Sequence, residues 1–179
     1  VYERVFTGAW LLAHTLYPAV PVNDFGTSVA LSGATIVVGA AGAAYVYEFQ
    51  ASMWMEVATL SPTVGMEADM FGSSVAVSDD TIVVGAFMEN NLSGSAYVFS
   101  RPSPGMWTLS QKLSPALGVA DFFFGYSVAV SGDTIAVGAE GASTGISQGS
   151  TSIFSHTGAV WSECAVALPN PSAPQAVSS

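Results

Sequence analysis

Basic residues and cysteine are scarce in this chain of 179 residues. Three Lys and Arg stand against thirteen Asp and Glu, which gives a formal net charge of −10. Binding to nucleic acid or to an anionic lipid surface needs Lys and Arg that neutralise phosphates, so the composition excludes both. The single cysteine, Cys164, excludes an internal disulfide. We expect it to be a buried small side chain, the alternative being a partner outside this chain.

Histidine is also rare, which limits catalysis. His14 and His156 are the only histidines, and they occupy non-equivalent positions of the repeat described below. Neither has a recognisable nucleophile or acid–base partner near it in sequence, and no Cys or His spacing typical of a metal site occurs. The sequence therefore predicts no enzyme activity, no catalytic residue and no metal ligand.

A long uncharged run needs a separate interpretation. Residues 25–47 carry no charge over a length that could span a bilayer. However, Asp79, Asp80 and Asp133 occupy the middle of the same run in its two other copies. Charge at that position is costly in lipid, so we expect no direct insertion into a membrane.

The most informative feature is a stretch that occurs three times. Residues 25–40, 71–86 and 124–139 align without a gap, and eleven of their sixteen columns are identical. Self-similarity at a period of about 50 residues is typical of repeat architectures. Each copy contains a Phe-Gly strand (A), a two-residue turn and a Thr-Ile-Val/Ala-Val strand (B).

Two further strands follow each copy. Strand C ends in Tyr or Phe, as in Tyr45-Val46-Tyr47, and a tryptophan then opens strand D. The strand D tryptophans are Trp10, Trp54, Trp107 and Trp161. Four short strands separated by turn signals are typical of an all-β fold. The chain thus starts with strands C and D, in residues 1–16, and continues with A-B-C-D three times, in residues 25–60, 71–113 and 124–168.

The side chains of strands A and B indicate how these units pack. One face of strand A is bulky, whereas Gly26, Ser28, Ala30 and Ser32 leave the other almost bare. Strand B is apolar on both faces, which suits a sheet covered on both sides. We therefore predict an all-β fold, a β-propeller-like array with three complete four-stranded antiparallel blades and a C-D half blade over residues 1–168. Residues 169–179 form a Pro/Ser-rich tail or linker.

These motifs resemble the FG-GAP repeat, which builds the propeller of integrin α-chain heads and of many cell-surface proteins. The resemblance rests on Phe-Gly, on Gly-Ala fourteen residues later, and on the Tyr-Val-Tyr/Phe strand and tryptophan behind them. The scaffold positions that carry over are Phe25, Gly26, Gly39, Phe71, Gly72, Gly85, Phe124, Gly125 and Gly138. Ala41, Phe87 and Glu140 replace the Pro of the family name. The calcium loop of many members is absent, since the A–B turns are too short to supply its oxygens. No cofactor is expected, although calcium is left open.

The candidate binding surface lies on the loops at one end of the blades. In an up-and-down sheet the D–A and B–C connections emerge at the same end, and the B–C loops vary most in length. Six of the thirteen acidic residues collect there: Asp24, Glu67, Asp69, Glu89, Asp121 and Glu140. We interpret this end as a candidate contact for a protein or glycan partner. The alternative is a set of solvated loops that keep an apolar protein soluble. Asn91 begins an Asn-Leu-Ser glycosylation sequon on one of these loops.

Two function classes remain. The first is a non-catalytic extracellular structural or adhesion protein, whose uncovered blade edges could join copies into homo-oligomers or a head-to-tail filament. The second is the propeller module of a larger receptor or enzyme that positions a protein or glycan partner. The blades missing from a full propeller lie either in a longer chain, of which this one is a fragment, or in identical copies that complete one another. We favour the fragment because the start divides a repeat, and the localisation we expect is extracellular or at the cell surface.

Overall fold

The computed structural model describes residues 1–4, 6–62, 69–115, 121–142, 149–158 and 160–167, with the side chains of residues 121, 122 and 142 left out. The first blade contains β3 (Ser28–Ser32), β4 (Thr35–Ala40), β5 (Ala43–Gln50) and β6 (Met53–Leu60). The second contains β7 (Phe71–Ser78), β8 (Thr81–Ala86), β9 (Ser95–Ser103) and β10 (Met106–Leu113). The third contains β11 (Asp121–Ser131), β12 (Thr134–Ala142), β13 (Ser150–Thr157) and β14 (Val160–Ala167). A hairpin, β1 (Tyr2–Arg4) and β2 (Trp10–Leu12), precedes them.

Each blade is a four-stranded antiparallel sheet in which strands pair in chain order. The predicted fold class is confirmed: the described residues are nearly all β, and three such sheets stack behind a two-stranded hairpin. The A–B turns have two central residues, and the first of them, Gly33, Asp79 or Gly132, has φ near +50°. A tight hairpin turn requires this conformation, which Gly adopts freely and Asp tolerates better than most residues.

Strand A is not straight, contrary to the simple alternation expected from its sequence. In the second blade Phe71 pairs with Ala86 but Ser74 pairs with Gly85, so Gly72 and Ser73 bulge out of the ladder. The third blade has the same two-residue bulge between Phe124 and Ser127. The bulge glycines, Gly26, Gly72 and Gly125, have φ of 96°, 91° and 90°. A side chain would be strained at this φ, which explains the Gly of each Phe-Gly pair.

The core lies between the sheets, as the two-sided apolar strands indicated. Strand β4 is buried along its whole length, and β8 is buried from Ile82 to Ala86. One cluster joins Val37 and Val46 of the first blade to Val75, Val77 and neighbouring residues of the second. An equivalent cluster joins the second blade to the third. We call the face of each blade that carries the Phe of Phe-Gly its entry face, and the opposite, small-residue face its exit face.

The N-terminal hairpin covers part of the entry face of the first blade. Val1, Leu16 and Val22 pack against Tyr45 and Tyr47. The sequence predicted a strand D from Trp10 to Leu16, but β2 ends at Leu12 because its partner β1 is only three residues long. Beyond that point the N–H groups of Ala13 and His14 both donate to the carbonyl oxygen of Val1.

Helix is almost absent from the described residues. The one short helical segment, α1 (Glu89–Leu92), contains left-handed residues at Asn90 and Asn91 and is therefore a turn of the B–C loop. Within the described part of the chain, no helix has the length and apolar character needed to cross a bilayer.

Candidate interaction surface at the loop end

The D–A and B–C connections meet at one end of the blades, which we call the loop end. The N–H of Ala41, just after β4, donates to the carbonyl oxygen of Asn23, in the segment that leads into β3, at 3.3 Å. In the second blade the N–H of Met88 donates to the carbonyl oxygen of Asp69 at 3.2 Å. The order of strands in each sheet therefore brings these loops together, as the sequence predicted.

The six acidic residues assigned to this end have different environments. Asp24 and Glu140 are exposed, and Asp69 is half-buried and makes contacts of its own. The backbone of Asp121 pairs with Ala142 in the third blade, while its side chain lies outside the described part of the structure. Glu67 falls outside the described residues, as does the tail assigned to residues 169–179.

Glu89 is buried and differs from the other acids at this end. Its two carboxylate oxygens accept hydrogen bonds from the Tyr97 hydroxyl at 2.8 and 2.9 Å, and Lys112 Nζ lies 2.6 Å from one of them. The Lys112 ammonium also stands 5.3 Å from the centre of the Tyr97 ring. Burial, followed by the hydrogen bond to Glu89 and the charges of Glu89 and Asp69, raises the pKa of Tyr97 above its ordinary value. Glu89 thus holds its loop on the blade through a buried contact in which Lys112 balances its negative charge.

An aromatic cluster between the second and third blades was missed by sequence reasoning. The Phe87 ring contacts Phe123 at 5.7 Å and Tyr126 at 5.2 Å between ring centres. Tyr126 is about half exposed, so the cluster reaches the surface of the loop end. The run Phe122-Phe123-Phe124 and the Phe that replaces Pro at position 87 were the signals that could have revealed it. Aromatic faces beside carboxylates are suited to binding a glycan or an apolar protein side chain.

The sequon residue Asn91 lies on the exposed part of the same loop. Residues 90–93 are exposed, and Asn90 and Asn91 have φ of 53° and 57°. The N–H of Gly94 then returns to the carbonyl oxygen of Glu89 at 2.9 Å, which closes the loop. A glycan on Asn91 would extend from the loop end into solvent.

The opposite end of the blades, which we call the turn end, contains an ion-pair network. Arg101 donates to Asp80 of its own blade and to Glu48 of the first blade, with nitrogen–oxygen distances of 2.6–3.0 Å. The Arg101 guanidinium also lies 5.2 Å from the centre of the Trp107 ring. Glu48 is buried, and its charge would be costly there without a partner. Its ion pair with Arg101 therefore holds the first and second blades together.

The residues considered for chemistry are separated in the structure. His14 Nε2 lies 3.8 Å from Glu3 Oε1, while His156 stacks on Trp161 with ring centres 4.7 Å apart. Across the described ranges, no group of three His, Cys, Asp or Glu residues is placed to hold a metal ion.

Cys164 is exposed, so the expectation of a buried thiol was wrong. Ile153 pairs with Ala165 and Phe154 pairs with Glu163, which leaves Cys164 as the extra residue of a bulge in strand β14. Its Sγ lies 3.3 Å from the carbonyl oxygen of Ile153. The extra residue of a bulge has no backbone partner in the ladder, and on this edge strand no described blade covers Cys164.

The FG-GAP repeat family matches residues 54–99 and 107–154, which together make up more than half of the chain. The chain belongs to the FG-GAP repeat family. Each matched segment begins at the tryptophan of one blade and ends at strand C of the next, so the family repeat spans the boundary between two stacked sheets.

A solved structure of very different sequence shares this fold. A "Europium-containing methanol dehydrogenase" superposes with a TM-score of 0.54 at 14% identity, over 77% of this chain and 23% of its own. A second structure, described as "Structure of YjhT", has a TM-score of 0.44 at 12% identity, over 92% of this chain and 50% of its own. The FG-GAP chain thus spans half or less of these proteins. No curated protein matches it.

Proposed function

We propose that this FG-GAP chain is a non-catalytic extracellular structural or adhesion protein that contacts a protein or glycan through its loop end and associates with copies of itself head to tail. The observation that carries the proposal is the rigid stack of blades, whose buried strands hold variable, partly acidic loops at one end. Loops on a rigid scaffold are where binding residues usually lie. The membership of the FG-GAP family supports an extracellular address.

The chemistry of the loop end favours a neutral glycan or a protein with basic side chains. Asp24 and Glu140 are exposed there, and Tyr126 presents an aromatic surface in the same cleft as Glu140. A net charge of −10 repels sulfated or sialylated glycans. Such a partner would be held by carboxylate hydrogen bonds and by stacking on the aromatic cluster.

Binding to an array of neutral glycans and to immobilised basic extracellular-matrix proteins tests this proposal. The Asp24→Asn, Glu140→Gln double variant is expected to reduce loop-end binding by about tenfold or more, because charge-assisted hydrogen bonds are lost. The matched control is the Asp79→Asn, Asp133→Asn double variant, which removes the same charge from exposed residues of the turn end. Equal binding by the two double variants, or no binding by the parent chain, would contradict the proposal.

Calcium requires a separate measurement. Titration calorimetry with calcium chloride and a melting curve at millimolar calcium are expected to show a signal only if loop-end carboxylates hold the ion. The absence of both heat and a shift in melting temperature would remove calcium from the proposed interaction and leave the direct contact standing.

A second candidate is a propeller module within a larger receptor or enzyme, where it positions a partner. The observation that favours it is the dehydrogenase match, in which a similar fold occupies 23% of a longer chain. Mass spectrometry of the native protein distinguishes the two candidates, because a mass near 18.3 kDa would exclude the larger protein.

A further inference from the structure

The contact between consecutive blades is built in the same way twice. Ser28 Oγ donates to the carbonyl oxygen of Gly72 at 2.8 Å, and Ser74 Oγ donates to that of Gly125 at 2.8 Å. A Cβ on Gly39 would collide with the first of these carbonyl oxygens, and a Cβ on Gly85 would collide with the second. The Phe-Gly bulge of each blade therefore inserts its glycine carbonyl into a pocket on the exit face of the preceding blade.

The third blade has the same pocket on its exit face. The equivalent positions of the third blade line an open cleft of about 460 Å³, which we call the Phe-Gly pocket. Its residues are Ser127, Gly138, Ala139, Gly149 and Ser150. The atoms nearest to a Cβ built on Gly138 all belong to Ser127, whereas at Gly39 and Gly85 a glycine carbonyl is the nearest. Ser150 is 7% exposed, and its Oγ has no hydrogen-bond partner among the described residues.

The complementary surface is exposed at the other end of the array. Val29 and Leu31, on the entry face of the first blade, are 67% and 64% exposed, whereas their equivalents Val75 and Val77 are both 9% exposed. The bulge that would enter a pocket is already formed, because Gly26 has φ of 96° like its equivalents. Phe25 also packs on Tyr45 at 5.6 Å, as Phe71 packs on Tyr97 at 5.4 Å.

We propose that the Phe-Gly pocket of one copy receives the Phe25-Gly26 bulge of a second copy, with Ser127 Oγ donating to the Gly26 carbonyl oxygen. The contact would continue the blade-to-blade packing that the chain makes twice internally, and it would cover Val29 and Leu31 with the small side chains of the third blade. It joins two different surfaces, so it generates either a closed ring or a filament. Two copies supply six complete blades, within the range of about four to eight that propellers use.

The N-terminal hairpin sets a condition on this contact. Val1 and Leu16 occupy the outer part of the entry face, where strands C and D of the incoming third blade would lie. All residues of β1 and β2 are exposed, so little apolar surface holds the hairpin in place. Docking of a complete blade therefore displaces the hairpin from this part of the entry face.

Sedimentation equilibrium over a wide range of protein concentration tests the contact. The parent chain is expected to show a reversible increase in mass. Ser127→Lys, in the pocket, and Val29→Lys, on the entry face, should each weaken association by about tenfold or more, since both place a charge in a buried contact. Both residues are exposed in the single chain, so neither change should affect folding. Ser103→Lys, at an exposed position of the second blade, is the matched control.

A mixture of the two variants identifies the geometry. Ser127→Lys retains an intact entry face and Val29→Lys an intact pocket, so the mixture should form a one-to-one heterodimer although each variant alone is monomeric. Gly138→Ala provides a second, uncharged block of the pocket. A parent chain that stays monomeric at every concentration, or variants that associate like the parent, would overturn the proposal.

The inference rests on the self-association part of the proposed function. Tyr126 and Glu140 line the same cleft as Ser127, so a substitution in the pocket would also change loop-end binding there. Val29 lies on the entry face of the first blade, away from that cleft, so glycan and matrix-protein binding measured on Val29→Lys separates failure of the head-to-tail contact from failure of loop-end binding.

Discussion

Glu89 and Glu140 come from the same region of successive blades, yet their environments are opposite. The sequence placed both in B–C loops on one acidic surface, but β12 continues to Ala142 and includes Glu140, whereas Glu89 lies beyond the end of β8. Left-handed Asn90 and Asn91 turn the B–C loop of the second blade back, and Glu89 becomes buried against Tyr97 and Lys112. Glu140 lies at the surface of the third blade. Sequence position alone could not separate a structural carboxylate from a surface one.

Replacing Glu89 by Ala should reduce the free energy of unfolding by about 2 kcal/mol, because the Tyr97 hydroxyl and the Lys112 ammonium would lose their buried acceptor. Urea denaturation followed by circular dichroism measures the change. The matched control, Glu140→Ala, should stay within about 0.5 kcal/mol of the parent, as exposed substitutions usually do. Equal destabilisation by the two variants would show that the Glu89 cluster does not stabilise the fold.

At the level of the strands, the Phe-Gly bulge explains why the same columns are identical in each repeat. The Phe fills the entry face and the Gly supplies both a positive φ and a carbonyl oxygen to the preceding blade. The Ser two positions after the Gly donates a hydrogen bond to the glycine carbonyl oxygen of the following blade. The Gly of strand B leaves space for that incoming carbonyl group. These are scaffold roles, and the sequence predicted them as such without predicting the bulge.

The glycine of strand B should be intolerant of substitution only where a blade follows it. Gly85→Ala would drive a methyl group into the Gly125 carbonyl oxygen, and we expect a loss of about 3 kcal/mol or more in unfolding free energy. Gly138→Ala is the matched control from the same column. It meets only the exposed Ser127 side chain, which can rotate, so its cost should be about 1 kcal/mol or less. Similar losses at the two positions, measured by thermal and urea unfolding, would contradict this account of the contact.

Across the whole molecule, burial increases from the first strands to the blade interfaces. Strand β8 lies between two apolar clusters, whereas β1 and β2 are exposed throughout. Each blade contributes half of the core on either side of it, so no blade has a complete core of its own. Stability in such an array depends on contacts between neighbouring repeats.

Hydrogen exchange should reproduce this gradient. At a concentration where the chain is monomeric, amides of β4 and β8 are expected to exchange roughly a hundredfold or more slowly than those of β1 and β2, because the hairpin can open without exposing a core. Mass spectrometry of peptides from each strand measures the rates. Equal protection of the hairpin would mean that a further body covers it, and would count against its displacement in the head-to-tail contact.

The sequence by itself determined the repeat, the four strands of each blade, the two-residue turns and the stacking of sheets, because these follow from local propensity and from the pattern of apolar side chains. The tertiary structure decided what depends on contacts between distant residues. It buried Glu89, exposed Cys164 in a bulge, brought Phe87 together with Phe123 and Tyr126, and placed the glycine carbonyl of each blade in a pocket of the one before. Such contacts join residues as far apart as Ser74 and Gly125. They depend on backbone bulges and left-handed residues, which the periodicity of the sequence does not reveal.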